Sequence, residues 1–93
     1  GLLDEAREVY HRRLEKRPGD LPILRRLIDL ALARGSPAEA HHHYEALTAR
    51  APCDGSLLLR IGMGYHRLGD RETARAIRER AVACDPRLKR LAH

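Results

Sequence analysis

The chain has 93 residues, of which 43% are hydrophobic, and its 18 Lys and Arg outnumber 13 Asp and Glu to give a net charge of +5. This length fits one small domain, and the abundance of Leu, Ala, Arg and Glu favours an all-α fold. No stretch approaches the roughly 20 apolar residues of a membrane span, and two cysteines are too few for a disulfide scaffold.

Apolar residues recur at helical spacing, and Gly and Pro separate the segments. The spacing predicts helices over 2–16, 21–33, 37–50, 55–67 and 71–84, followed by a stub at 87–92. Ser36, Pro37 and Glu39 form the S-P-x-E pattern of a capping box at the start of the third helix. Asp70 is expected to cap the fifth. Because the connections are short, consecutive helices are expected to be antiparallel neighbours.

The same residue types recur at an interval of 34 residues. They are Pro18, Pro52 and Pro86, Gly1, Gly35 and Gly69, Ala6, Ala40 and Ala74, and the pairs Tyr10/Tyr44, Leu24/Leu58 and Leu27/Ile61. A fixed period of this length indicates stacked helix pairs. The chain is therefore divided into the second helix of a partial repeat (1–20), two repeats (21–54 and 55–88) and the stub of a capping helix (89–93), all within one domain.

This pattern resembles the tetratricopeptide (TPR) repeat, W-x2-L-G-x2-Y, then A-x3-F, then P. The last repeat matches it through Leu58, Ile61, Gly62, Tyr65, Ala74 and Pro86. The resemblance covers almost the whole chain. It implies an α-solenoid, a right-handed superhelix of about two and a half repeats, whose first helices line a concave groove that binds a peptide or protein.

Candidate groove residues lie opposite the packed face of the first helices. They are Arg25, Arg26, Asp29 and Leu32 in one repeat, and Ser56, Leu59, Arg60, Met63, His66 and Arg67 in the next. Arginines beside apolar groups favour an extended, acidic peptide, because Arg grips carboxylates bidentately. Asp29 opposes this, since it can neutralise Arg25 across one helical turn.

Two alternatives to a peptide-binding module stay open. Residues 71–93 hold seven basic and three acidic residues, so this region could bind nucleic acid or an anionic surface non-specifically. Nucleic acid is disfavoured, because Tyr10, Tyr44 and Tyr65 occupy repeat-core positions and leave no aromatic platform for bases. The other alternative is an assembly module of a longer protein. No catalytic motif occurs, so no enzyme activity, catalytic residue or cofactor is predicted.

The consecutive histidines His41, His42 and His43 point roughly 100° apart on a helix and cannot converge on one metal ion. The pairs His41/Glu45 and Glu39/His43 have i,i+4 spacing but supply too few ligands. A solvated helix face, and no metal site, is therefore predicted.

Cys53 and Cys84 show no metal-ligand spacing. The two cysteines stand at different positions within the 34-residue repeat. We therefore expect their Cα atoms to be farther apart than the roughly 7 Å that a disulfide can span. Both thiols are therefore expected to be free.

The first helix carries apolar residues with no preceding helix to cover them. They are Leu2, Leu3, Val9, Tyr10 and Leu14. This predicts self-association through the first helix, or further repeats before it. The chain starts with Gly1 rather than Met, which indicates a trimmed sequence, so localisation stays open, with the cytoplasm favoured.

Overall fold

The computed structural model describes residues 1–90 and is all-helical over that range. Its elements are α1 (Leu2–Lys16), α2 (Leu21–Ala33), α3 (Pro37–Thr48), α4 (Gly55–Arg67), α5 (Arg71–Cys84) and a 3₁₀ helix (Pro86–Arg90). The predicted helices are confirmed, except that α3 ends at Thr48 rather than at residue 50. Residues 91–92 of the predicted stub lie outside the described residues. Within 1–90, no helix is long and apolar enough to cross a membrane.

The helices form two compact units. The first, Gly1–Ala51, contains α1 to α3, and the second begins at Pro52 and contains α4, α5 and the 3₁₀ helix. In the first unit α2 packs against both α1 and α3, and in the second α5 packs against α4 and the 3₁₀ helix. Helices that are consecutive within a unit are thus spatial neighbours, as their short connections predict.

Each unit has its own apolar core, built from one face of each packed helix. The first core contains Leu24, Leu27, Ile28 and Ala31 of α2 with Ala40, Tyr44 and Leu47 of α3, and the second contains Leu57, Leu58 and Ile61 of α4 with Ala74, Ile77 and Ala81 of α5. In contrast, α1 has no buried residue.

Three aspartates begin helices in the same way. The side chains of Asp20, Asp54 and Asp70 each accept a hydrogen bond from the backbone N–H three residues later, at 3.1 to 3.2 Å. Such caps satisfy a backbone donor that the helix leaves without a partner. The predicted cap at Asp70 is confirmed.

The predicted capping box at α3 is wrong. Ser36 makes no side-chain hydrogen bond to the helix start. The carboxylate of Glu39 instead accepts hydrogen bonds from Arg7 of α1 and from Arg34. These partners are favoured because a hydrogen bond between two ionised groups is stronger than one from a neutral backbone amide.

The turn inside each helix pair has the same backbone geometry. Gly35 and Gly69 have φ of 74° and 86°, a left-handed conformation that side chains with a Cβ rarely adopt. The next residue donates its N–H back into the helix, from Ser36 to the Ala31 carbonyl at 2.8 Å and from Asp70 to the Tyr65 carbonyl at 3.0 Å. This is the Schellman helix ending. The 34-residue sequence period is therefore accompanied by a repeated local backbone structure.

Helices α4 and α5 approach closely at Gly62. A Cβ placed there would lie 3.4 Å from the Ala74 carbonyl oxygen and 3.3 Å from Arg78 Cγ. Arg78 lies four residues after Ala74, where the TPR pattern has an aromatic residue. It is half-buried, because its aliphatic stem lies against Gly62.

The prediction of free thiols is wrong, because Cys53 and Cys84 form a disulfide within the second unit. Their Cα atoms are 6.3 Å apart, inside the range that a disulfide bridges. Cys53 lies just before α4 begins and Cys84 is the last residue of α5. These two helix ends meet because α4 and α5 pack as a hairpin. The positions of the cysteines within the 34-residue repeat do not reveal this contact.

Candidate functional site

The six candidate groove residues of the second unit lie together on α4. Its inner residues, Leu57, Leu58, Ile61 and Gly62, are buried. The outer residues Ser56, Arg60, Met63, His66 and Arg67 are exposed, and Leu59 is half-buried.

Four of these residues form a single line along α4. Ser56, Arg60, Met63 and Arg67 are spaced by four, three and four residues, so they lie one above the other on the same side of the helix. With a rise of 1.5 Å per residue, this line is about 16 Å long. We call these four residues the basic stripe.

The basic stripe combines positive charge with an apolar contact. The sequence of α4 includes Arg60, His66 and Arg67 but no Asp or Glu. Met63 lies between the two arginines with 52% of its surface exposed. A ligand that suits this surface would carry carboxylates on either side of an apolar group.

The four candidate residues of the first unit lie together on α2. Arg25, Arg26 and Asp29 are exposed, and Leu32 is half-buried. Asp29 follows Arg25 by one helical turn, so this surface carries both signs of charge. It is therefore less suited to an acidic ligand than the basic stripe.

The basic residues of 71–93, for which the sequence leaves open binding to nucleic acid or an anionic surface, are partly neutralised by acidic neighbours. Arg75 pairs with Glu79 on α5 at 3.3 Å, beside a surface cavity of about 410 Å³ that Arg78 and Val82 also line. Arg87 donates two side-chain hydrogen bonds to Asp85, each of 2.9 Å. The Arg87 guanidinium holds the pKa of the Asp85 carboxyl below its usual value.

Three apolar residues of α1 are exposed to solvent among its charged residues. Leu2, Leu3 and Val9 are 84%, 41% and 46% exposed, while Tyr10 and Leu14 are half-buried. This matches the expectation of a poorly covered first helix. Self-association through it stays a prediction.

The first unit contains a group of three potential metal ligands that the sequence did not predict. His11 of α1 and Glu39 and His43 of α3 each offer a ligand atom, and these atoms lie within 4.8 Å of one another. Glu39 and His43 share a side of α3 through their i,i+4 spacing. His11 lies 32 residues from His43 along the chain, so only the packing of the unit brings it there.

The prediction of a solvated histidine face is wrong for His43, which is only 5% exposed. His42 is exposed, and His41 pairs with Glu45 at 3.2 Å. Consecutive histidines on a helix point in different directions, and here only the third one points into the unit.

Glu39 is the charged centre of this group. Arg7 Nε donates to Glu39 Oε1 at 2.6 Å, and Arg34 Nη1 donates to Oε2 at 2.9 Å. Burial raises the pKa of Glu39, but the hydrogen bond from Arg7 and the charges of Arg7 and Arg34 outweigh it. The pKa of Glu39 therefore lies below its usual value.

The two histidines face each other across the group, with ring centroids 5.4 Å apart. Burial lowers the pKa of His43, and the neighbouring His11 lowers it further. The Nε2 atoms of His11 and His43 are buried without a hydrogen-bond partner among the described residues.

Comparison of the chain with family models, with curated proteins and with solved structures gives no match. Its function must therefore be inferred from its own residues.

Proposed function

We propose that this protein is a peptide-binding module, a TPR-like α-solenoid of helix pairs in which the basic stripe on α4 binds an extended acidic segment of a partner protein. The observation that carries the proposal is the stripe itself. Two arginines and an exposed methionine lie in one line on a helix that has no acidic residue.

The architecture supports this role. Inward residues of α4 pack on α5, so its backbone is held by a core while the opposite side presents charged and apolar groups. Rigid presentation reduces the entropy that binding would otherwise cost. The glycine turns at Gly35 and Gly69 lie 34 residues apart, and so do the aspartate caps at Asp20 and Asp54, which supports a repeat array of the kind that binds peptides.

The spacing of the stripe sets the length of the segment it can bind. Arg60 and Arg67 are seven residues apart on one helix, which corresponds to about 10 Å. A peptide in the polyproline II conformation advances ~3.1 Å per residue with three residues per turn, so two carboxylates three residues apart lie on one side, about 9 Å from each other, and would reach both guanidinium groups. An apolar residue between them would meet Met63.

The direct test is the binding of a fluorescein-labelled peptide in which acidic residues three apart flank a leucine, measured by fluorescence polarisation. A peptide with Lys in place of each Glu is the matched control. The wild-type chain should bind only the acidic peptide, and with an affinity that falls as salt rises.

Charge reversal distinguishes the α4 surface from the rest of the positive charge. Arg60→Glu should weaken binding about tenfold or more, whereas Arg80→Glu, at an exposed position on α5, should change it little. Equal losses in the two variants would instead favour anion binding by the basic residues 71–93. If the wild-type chain binds neither peptide, the assembly-module alternative is favoured.

A further inference from the structure

The first unit buries two polar atoms without satisfying them. The Nε2 atoms of His11 and His43 have no hydrogen-bond partner among the described residues, and His43 is 95% removed from solvent. A buried polar atom left without a partner destabilises a fold, so such atoms are rare unless something binds them.

Packing does not require a histidine at position 43. The residues one 34-residue period before and after His43 are Val9 and Ile77, both apolar. Ile77 occupies its position in the core of the second unit with 4% exposure. The repeat thus accepts an aliphatic side chain here, and the polar ring of His43 must be explained by something other than the fold.

We propose that His11, Glu39 and His43 bind a divalent transition-metal ion, for which Zn²⁺ is the best match. Two imidazoles and one carboxylate suit Zn²⁺ and its neighbours in the first transition series far better than Mg²⁺ or Ca²⁺, which prefer oxygen ligands. Three protein ligands with one position left for water is a common zinc arrangement.

The distances are close to those that coordination requires. Ligand atoms about 2.1 Å from a tetrahedral Zn²⁺ lie ~3.4 Å from one another. His11 Nε2 and Glu39 Oε1 are 3.9 Å apart, and all three ligand atoms lie within 4.8 Å. The remaining gaps are at most about 1.4 Å, and side-chain rotation can close them because the three ligand atoms already lie together.

Arg7 and Arg34 both hinder and help this site. Their charges oppose a cation, which lowers the affinity. Their hydrogen bonds also fix the orientation of Glu39, as the supporting groups of metal-ligating carboxylates do. Both Nε and Nη2 of Arg7 contact Oε1, which has two lone pairs, so the guanidinium must give up one of these contacts when Oε1 binds the metal. Asp4, 3.1 Å from Arg34, offsets part of the added positive charge.

The site lies beside a surface cavity of about 370 Å³, which His11 lines together with Arg7, Glu8, Arg12 and Glu15. Because His11 Nε2 is buried, a metal that enters from this cavity reaches the site when the His11 ring turns. The bound ion would join α1 to α3, and α1 is the helix that has no buried residue of its own. Binding should therefore stabilise the docking of α1.

The test uses untagged, oxidised chain in equilibrium dialysis against Zn²⁺, followed by a competitive titration with a chromophoric chelator. Wild type should bind one Zn²⁺ per chain, and excess Mg²⁺ should not displace it. His43→Ile, which copies the residue one repeat later, and His11→Asn should each weaken binding by at least about tenfold. His42→Asn and His41→Asn change the neighbouring histidines and should leave binding unchanged.

Two results overturn the proposal. One is Zn²⁺ uptake that is the same in wild type, His43→Ile and His11→Asn. The other is uptake that disappears in His41→Asn or His42→Asn, which would assign the ion to surface histidines. Co²⁺ gives a second readout, since its visible absorption should appear on binding to wild type and be absent with His43→Ile. The circular dichroism of His43→Ile should match that of wild type. Loss of metal binding in this variant is then distinguished from loss of folding. Metal uptake is measured without any peptide, so its failure leaves the proposed function untouched.

Discussion

Cys53 and Cys84 join the start of α4 to the end of α5 through a disulfide, across a sequence separation of 31 residues. Closing a loop of this size restricts the unfolded chain, and this typically stabilises a protein by about 2–4 kcal/mol. We therefore expect dithiothreitol to lower the free energy of unfolding by about this amount, measured by urea denaturation. The double variant Cys53→Ser, Cys84→Ser should be equally destabilised and should not respond to reductant. Identical unfolding curves for wild type with and without dithiothreitol would contradict the prediction.

Gly62 should tolerate no large side chain, because α5 lies directly against it. Gly62→Leu must push Arg78 and Ile77 aside, and we expect it to destabilise the chain by roughly 1–3 kcal/mol in a thermal or urea melt. Ala76→Leu is the matched control, since Ala76 is exposed on α5 and the same side chain meets solvent there. Equal stability of the two variants would mean that α4 and α5 do not pack at Gly62.

Acid should destabilise the metal-free chain through His43. Burial and the charges of His11, His42 and Arg7 lower the pKa of His43 below its ordinary value of 6.5, and Glu39 only partly opposes them. The unfolded chain therefore takes up the proton first as pH falls, and stability is lost through and below pH 6.5.

Urea unfolding with a chelator present should show this loss between pH 7.5 and 5.5. The loss should be smaller in His43→Ile and unchanged in His42→Asn. If His43→Ile shows the same pH dependence as wild type, the ring of His43 is not buried in its neutral form.

The exposed apolar residues of α1 should promote self-association. Leu2 and Val9 are seven residues apart, so they share one side of the helix and can meet the same residues of a second copy. Sedimentation should show a larger species as concentration rises. The double variant Leu2→Glu, Val9→Glu should stay monomeric, whereas Met63→Glu on α4 should behave as wild type. A monomer at every concentration would contradict this prediction.

Local features of this fold could be predicted from the sequence because they depend on neighbouring residues. Helix bounds follow from apolar spacing, and the cap at Asp70 depends on a residue only three positions later. The failed capping box at Ser36 shows the limit. Its Glu39 is drawn away by Arg7, which is 32 residues distant and reaches it only through packing.

The disulfide and the histidine group could not be predicted for the same reason. Cys53 meets Cys84 only because α4 and α5 pack as a hairpin, and His11 meets His43 only because α1 lies beside the other helices of its unit. One sequence signal could have pointed to the second case. The 34-residue period places His43 in register with Ile77, which marks it as a polar residue at an apolar position.

Binding of an acidic segment by the basic stripe on α4 can be observed residue by residue with NMR chemical-shift mapping. The acidic peptide with leucine between its carboxylates would be titrated into ¹⁵N-labelled chain. We expect the largest amide shifts at Ser56, Arg60, Met63 and Arg67, and we expect Arg60→Glu to remove them. Largest shifts in α5 or the 3₁₀ helix, or no shifts at all, would show that the basic stripe does not bind the peptide.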